Sequence, residues 1–92
     1  MKVPILCKID ASVYDLVPDK YSLEEILLLG LCNFNTQFIL IENYKNIRLE
    51  IELGILKELQ FISRKRESYP GIVAGEIILS FVLNYEKIYF FS

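Results

Sequence analysis

From Ile47 to Leu53 the chain alternates with a period of two: Ile47, Leu49, Ile51 and Leu53 fall on one side, and Arg48, Glu50 and Glu52 on the other. Successive side chains of a strand point to opposite faces, so this pattern fits an extended segment with one face in a core and one in water. A sheet of antiparallel strands, wet on one side, accepts such a strand readily. Gly54 breaks the pattern, and beyond it the period lengthens. Ile55, Leu56, Leu59 and Ile62 recur at helical spacing with Lys57, Glu58, Lys65 and Glu67 outside, which predicts a helix from Ile55 to Arg66.

The neighbouring segments are read in the same way. Phe38 to Glu42 is rich in β-branched and aromatic residues, and Asn43-Tyr44-Lys45-Asn46 suits a turn, so a hairpin with Ile47–Leu53 is predicted. Ser22 followed by Glu25 makes an S-x-x-E capping box, in which two side chains satisfy amides left unpaired at a helix start. The helix it opens should run from Leu23 to about Cys32. Its far side is also apolar, so it should be nearly encircled by other elements. Val3 to Ile9 alternates poorly and reads as a strand buried on both faces or central in a sheet. Ser12 to Val17 fits one turn of helix or an extended continuation, ended by Pro18.

Tyr69-Pro70-Gly71 reads as a turn closing the second helix. Glu76–Leu83 and Lys87–Phe91 then flank Asn84-Tyr85-Glu86 as a second hairpin, although Ile72–Leu83 also fits a buried helix, because an unbroken apolar run carries no period to separate the two. The order that results is β-α-β-β-α-β-β. It defines an α+β fold in one domain over residues 1–92, with a mainly antiparallel sheet covered by two helices.

Composition bears on what such a fold must do with its side chains. Of the 92 residues, 53% are hydrophobic, and the mean hydropathy is +0.36. A chain this short buries only roughly two-thirds of the surface its unfolded form exposes. Some apolar surface should therefore remain outside, and contiguous apolar surface usually marks a contact site. A membrane is a poor destination for the richest stretch, Ile72 to Phe91, because Glu76, Asn84, Glu86 and Lys87 interrupt it. The N-terminal residues show no signal-peptide pattern, and two cysteines are few for a secreted domain of this size; a cytoplasmic location is the expectation. Cys7 and Cys32 are expected to be buried apolar thiols.

The chemistry the sequence offers is thin. Histidine is absent, and with it the side chain best suited to move protons at neutral pH and the commonest nitrogen ligand for zinc. No C-x-x-C pair and no G-x-G-x-x-G loop occurs, and Gly71 and Gly75 are too sparse to cradle a phosphate. Glu24 and Glu25 belong to the first turn of a helix, where the dipole favours negative charge. Glu50 and Glu52 belong to a wet strand face. Glu76 stands among apolar neighbours; a surface position is expected for it, since burial would demand a partner or a raised pKa. No enzyme activity, metal or cofactor is therefore expected.

Two kinds of contact remain. The C-terminal run Ile88, Tyr89, Phe90 and Phe91 carries bulky residues on both sides, so as a last strand it must be covered on both faces or completed by another chain. The leading expectation is a non-catalytic protein–protein interaction module, a homodimer or an accessory subunit, that associates through exposed apolar surface and this strand. The alternative is a nucleic-acid contact built from Arg64, Lys65, Arg66 and Tyr69, with Arg48 as a further cation. A net charge of −2 argues against a chain devoted to neutralising phosphate.

Overall fold

A computed structural model describes residues 1–17, 21–32, 41 and 43–85. Its elements follow the order β1 (Lys2–Asp10), α1 (Ala11–Leu16), α2 (Leu23–Cys32), β2 (Tyr44–Glu52), α3 (Leu53–Lys65) and α4 (Pro70–Tyr85). This is an α+β arrangement, but the expected β-α-β-β-α-β-β order is not found. Among the described residues the sheet has two strands, β1 and β2, and four helices pack with it.

The strands run antiparallel in a register that pairs Lys2 with Glu52 and Asp10 with Tyr44. Thus the partner of β2 among the described residues comes from the far N-terminus. Of the hairpin arm expected at Phe38–Glu42 only Ile41 is described, and it belongs to no strand. Tyr44, Lys45 and Asn46, expected in a turn, continue β2 instead, with the Lys8 ammonium 4.5 Å from the centre of the Tyr44 ring across the strands. The odd-numbered residues Cys7, Ile9, Leu49 and Ile51 point into the core. The even-numbered ones face out, and Leu6 is 64% exposed among them, so β1 is buried on one face and not on both as expected.

The ladder also fixes which backbone groups lie at each edge. The Leu53 N–H donates to the Met1 carbonyl and the Ala11 N–H to the Asn43 carbonyl, which places the odd-numbered residues in the hydrogen-bonded pairs. Even-numbered residues of β1 therefore aim their N–H and C=O groups away from β2. Pro4 falls in that set, so its missing N–H costs the ladder nothing. Against this outer edge lies α4. A Cβ built on Gly71 would overlap the Leu6 carbonyl oxygen, and one on Gly75 the Lys8 carbonyl oxygen. Two glycines four residues apart share one stripe of a helix, and here the stripe lets the helix backbone close the edge of β1.

The segment expected as a strand over Glu76–Leu83 is thus part of a helix, and the second hairpin does not form. Residues 70–85 are long for a strand, and Pro70 opens the helix at its first position, where its fixed φ is suited and no N–H is needed. The Tyr69 carbonyl accepts from the Ile72 and Val73 amides. Tyr69-Pro70-Gly71 therefore starts a helix and does not merely close one. Val73, Ala74, Ile77, Ile78, Leu79, Phe81 and Val82 are buried over most of the circumference of α4, leaving a narrow strip through Ile72, Glu76, Ser80 and Leu83 nearer the surface. Ile26 and Leu27 of α2, Leu59 of α3 and Val13 of α1 complete the core.

Local caps agree with the chemistry of their residues. Asp10 accepts from the Ser12 N–H at 2.9 Å and its hydroxyl at 2.6 Å, opening α1. Ser22 Oγ accepts from the Glu25 N–H at 3.1 Å, as the capping motif predicts for α2. At the end of α3 the Ser68 N–H reaches the Ser63 carbonyl at 2.9 Å and the Glu67 N–H the Arg64 carbonyl at 3.3 Å. Glu67 sits at φ 54°, the left-handed position that closes a Schellman motif and usually belongs to glycine.

Candidate functional site

An opening lies between α2 and α3. Leu28, Leu31 and Cys32 on one side and Ile55, Phe61 and Ile62 on the other line a groove of about 690 Å³ whose rim includes Glu52, the last residue of β2. Leu28 is 49% exposed and Phe61 56%. Helical periodicity explains Phe61: Ile55, Leu59 and Ile62 follow the core-facing stripe of α3, and Phe61 falls beside it. The Lys65 ammonium rests 4.5 Å from the centre of its ring and screens part of it from water. Cys32 lies exposed on this groove, so the expectation that both thiols are buried holds for Cys7 only. Burial pushes the Cys7 thiol up to about 12, with the Glu24 carboxylate acting in the same direction.

The second surface is an edge. The even-numbered residues of β2, Tyr44, Asn46, Arg48, Glu50 and Glu52, direct their backbone N–H and C=O groups away from β1. Among the described residues, no backbone group bonds to that edge. Their side chains occupy the wet face, where Arg48 Nη2 meets Glu50 Oε1 at 3.1 Å.

The basic cluster divides. Arg64 and Lys65 are exposed in the last turn of α3, where the dipole favours cations. Tyr69 is 73% exposed. Arg66, however, turns toward α4, its Nη1 standing 3.6 Å from Glu76 Oε2. Glu76 is correspondingly not on the open surface expected for it. Its side chain is 15% exposed, and Oε2 is buried without a hydrogen bond. Burial raises its pKa, and the Arg66 charge opposes part of that rise. The arrangement ties the loop after α3 to α4.

Glu24 and Glu25 stand in the first turn of α2. Among the described residues no group of three or more His, Cys, Asp or Glu side chains is placed to hold a metal ion. Nor is any described helix long and apolar enough to cross a membrane. Ile88, Tyr89, Phe90 and Phe91, expected at a partner interface, lie outside the described residues. The alternation of β2 is visible in the sequence, whereas its pairing with the distant β1 is not. The chain matches no protein-family model, and no curated protein or solved structure matches it either.

Proposed function

We propose that the chain is a non-catalytic protein–protein interaction module, a homodimer or an accessory subunit of a larger assembly, associating through exposed apolar surface together with its C-terminal segment Ile88–Phe91. One observation carries the reading: the groove between α2 and α3 leaves Leu28, Leu31, Ile55, Phe61 and Ile62 facing one open space. Contiguous apolar surface on so small a body is a contact feature, whereas scattered exposed leucines are not. The basic cluster supports a nucleic-acid contact less well, because Arg66 is committed to Glu76.

Size-exclusion chromatography with light scattering on the full chain tests the self-associating form. A dimer is expected, and the double change Leu28→Ser, Phe61→Ser should shift it toward monomer without altering far-UV circular dichroism. A folded wild-type chain whose mass stays monomeric at every concentration overturns self-association. Recovery of the tagged chain alone from its native host would then overturn the accessory-subunit form as well.

A further inference from the structure

The two edges of the sheet are treated differently. The outer edge of β1 is closed by Pro4 and by α4, whose Gly71 and Gly75 press on the Leu6 and Lys8 carbonyls. The outer edge of β2 is nine residues long, and no described backbone group bonds to it. An open edge of that length is a template for another strand, and proteins ordinarily blunt such edges unless they use them.

We infer that this edge pairs antiparallel with the β2 edge of a second copy, joining the sheets in the order β1-β2-β2-β1, in the register that sets Arg48 against Glu50 of the second copy. The inference rests on the reading that the chain acts by association, and it names the partner and the contact. Charge pattern selects the register. A two-fold axis at Leu49 places Arg48 opposite Glu50 and Glu50 opposite Arg48, each pair exchanging two backbone hydrogen bonds. Opposite charges facing across strands are favourable, and like charges are not. Sliding the pairing by two residues in one direction sets Arg48 against Arg48 and costs repulsion. Leu49 then meets Leu49, and Ile47 meets Ile51, on the face that already points to the core, so the apolar layer continues across the junction.

The groove is continuous with this contact. Helices α2 and α3 pack against β2 more than the other helices do, while α4 packs chiefly on β1, and Glu52 belongs to both the strand and the groove rim. A second copy across β2 therefore approaches from the side on which Leu28 and Phe61 are exposed. The Arg48–Glu50 pair within each chain becomes part of a four-charge cluster at the axis.

Sedimentation equilibrium on three full-length proteins tests this. The wild type should be a dimer. Arg48→Glu alone sets Glu against Glu twice, and Glu50→Arg alone sets Arg against Arg twice, so each should dissociate at least roughly tenfold more readily. Mixing the two variants places opposite charges at both pairs again and should restore a dimer containing one of each. In a Cys32→Ser background, Arg48→Cys mixed with Glu50→Cys should form a disulfide-linked pair on oxidation that neither forms alone. A wild-type dimer indifferent to both charge changes overturns the edge contact but leaves association standing. Folded, monomeric variants that fail to recombine overturn the register. A wild type that is monomeric throughout overturns the edge contact and self-association together.

Discussion

Replacing Gly75 by alanine separates two accounts of α4. Were the glycine merely tolerated inside a helix, alanine would stabilise the protein by about 1 kcal/mol, the ordinary difference in helix propensity. In the structure the new methyl group would overlap the Lys8 carbonyl oxygen, and the same change at Gly71 would overlap that of Leu6. These obstacles are backbone atoms of a paired strand and cannot swing aside as a side chain can. Inserting carbon into packed interiors costs typically about 1–3 kcal/mol when side chains absorb the strain. Here the helix must lift off β1, so a net loss at the upper end of that range, about 3 kcal/mol, is expected for each glycine. Against a total stability of roughly 5–15 kcal/mol this is a large fraction.

Thermal unfolding followed by far-UV circular dichroism reads the effect. At about 4–8 °C per kcal/mol for a domain of this size, Gly75→Ala should lower Tm by roughly 12–24 °C. Two internal controls fix the scale. Gly54, in the first turn of α3, has nothing within 4 Å of a built Cβ, so Gly54→Ala should raise Tm by a few degrees. Gly30 would meet the Ile77 Cγ2 at 2.6 Å, an obstacle that is a side-chain end, and should fall between. A Gly75→Ala protein as stable as the wild type would refute the close packing of α4 on the edge of β1.

Three further outcomes are expected. Glu67→Gly should raise Tm by a few degrees, because the left-handed φ of 54° costs a side-chain-bearing residue about 1 kcal/mol, of which the greater unfolded-state entropy of glycine returns only part; an unchanged or lowered Tm would contradict the Schellman geometry. Glu76 has a folded-state pKa raised above its ordinary 4.5, so the native state holds its proton more tightly than the unfolded state, and the unfavourable contribution of the buried charge is relieved as pH falls through that raised value. Glu76→Gln should therefore melt at or above the wild type at neutral pH, with the gap shrinking toward weakly acid pH in paired calorimetric scans, and a gap that widens there would refute it. Cys7, with its thiol near 12 and fully buried, should resist a disulfide reagent at pH 8 until denaturant unfolds the chain, and rapid loss of both thiols from the native protein would show the core to be open.

What the amino-acid order reveals by itself follows from how local each signal is. The capping motif at Ser22 and Glu25, the alternation of β2 and the helical spacing from Ile55 to Ile62 are each decided within a dozen residues, and each appears where local rules put it. The partner of β2 is not local. Its pairing joins residues far apart in the chain, as Tyr44 with Asp10 or Glu52 with Lys2, while the turn-like composition of Asn43–Asn46 points to a nearer strand. Propensity lost there to the nine-pair ladder with β1. The burial of Glu76 is hidden from the sequence for a related reason: its partner Arg66 lies ten residues back across a helix end, and the turn at Glu67 brings the two together.

Helix α4 stays ambiguous between strand and buried helix in the sequence for the opposite reason. A helix buried over most of its circumference, with leucine and isoleucine also on its outer strip, shows no clear apolar stripe, so the signal that separates helix from strand is weakened by the enclosure that stabilises it. Its glycines held the missing information. Judged by phosphate chemistry Gly71 and Gly75 are too few, but four residues apart behind Pro70 they mark a helix face that another backbone can touch. The same helix also answers much of the apolar excess. Val73, Ala74, Ile77, Ile78, Leu79, Phe81 and Val82 all disappear into the core from one element, which a half-exposed strand would not achieve. Among the large apolar side chains left exposed in the described residues, Leu28 and Phe61 gather on the α2–α3 groove beside the end of β2. If association removes that remainder from water, its contact surface must include this side, because α4 has already closed the other edge of the sheet.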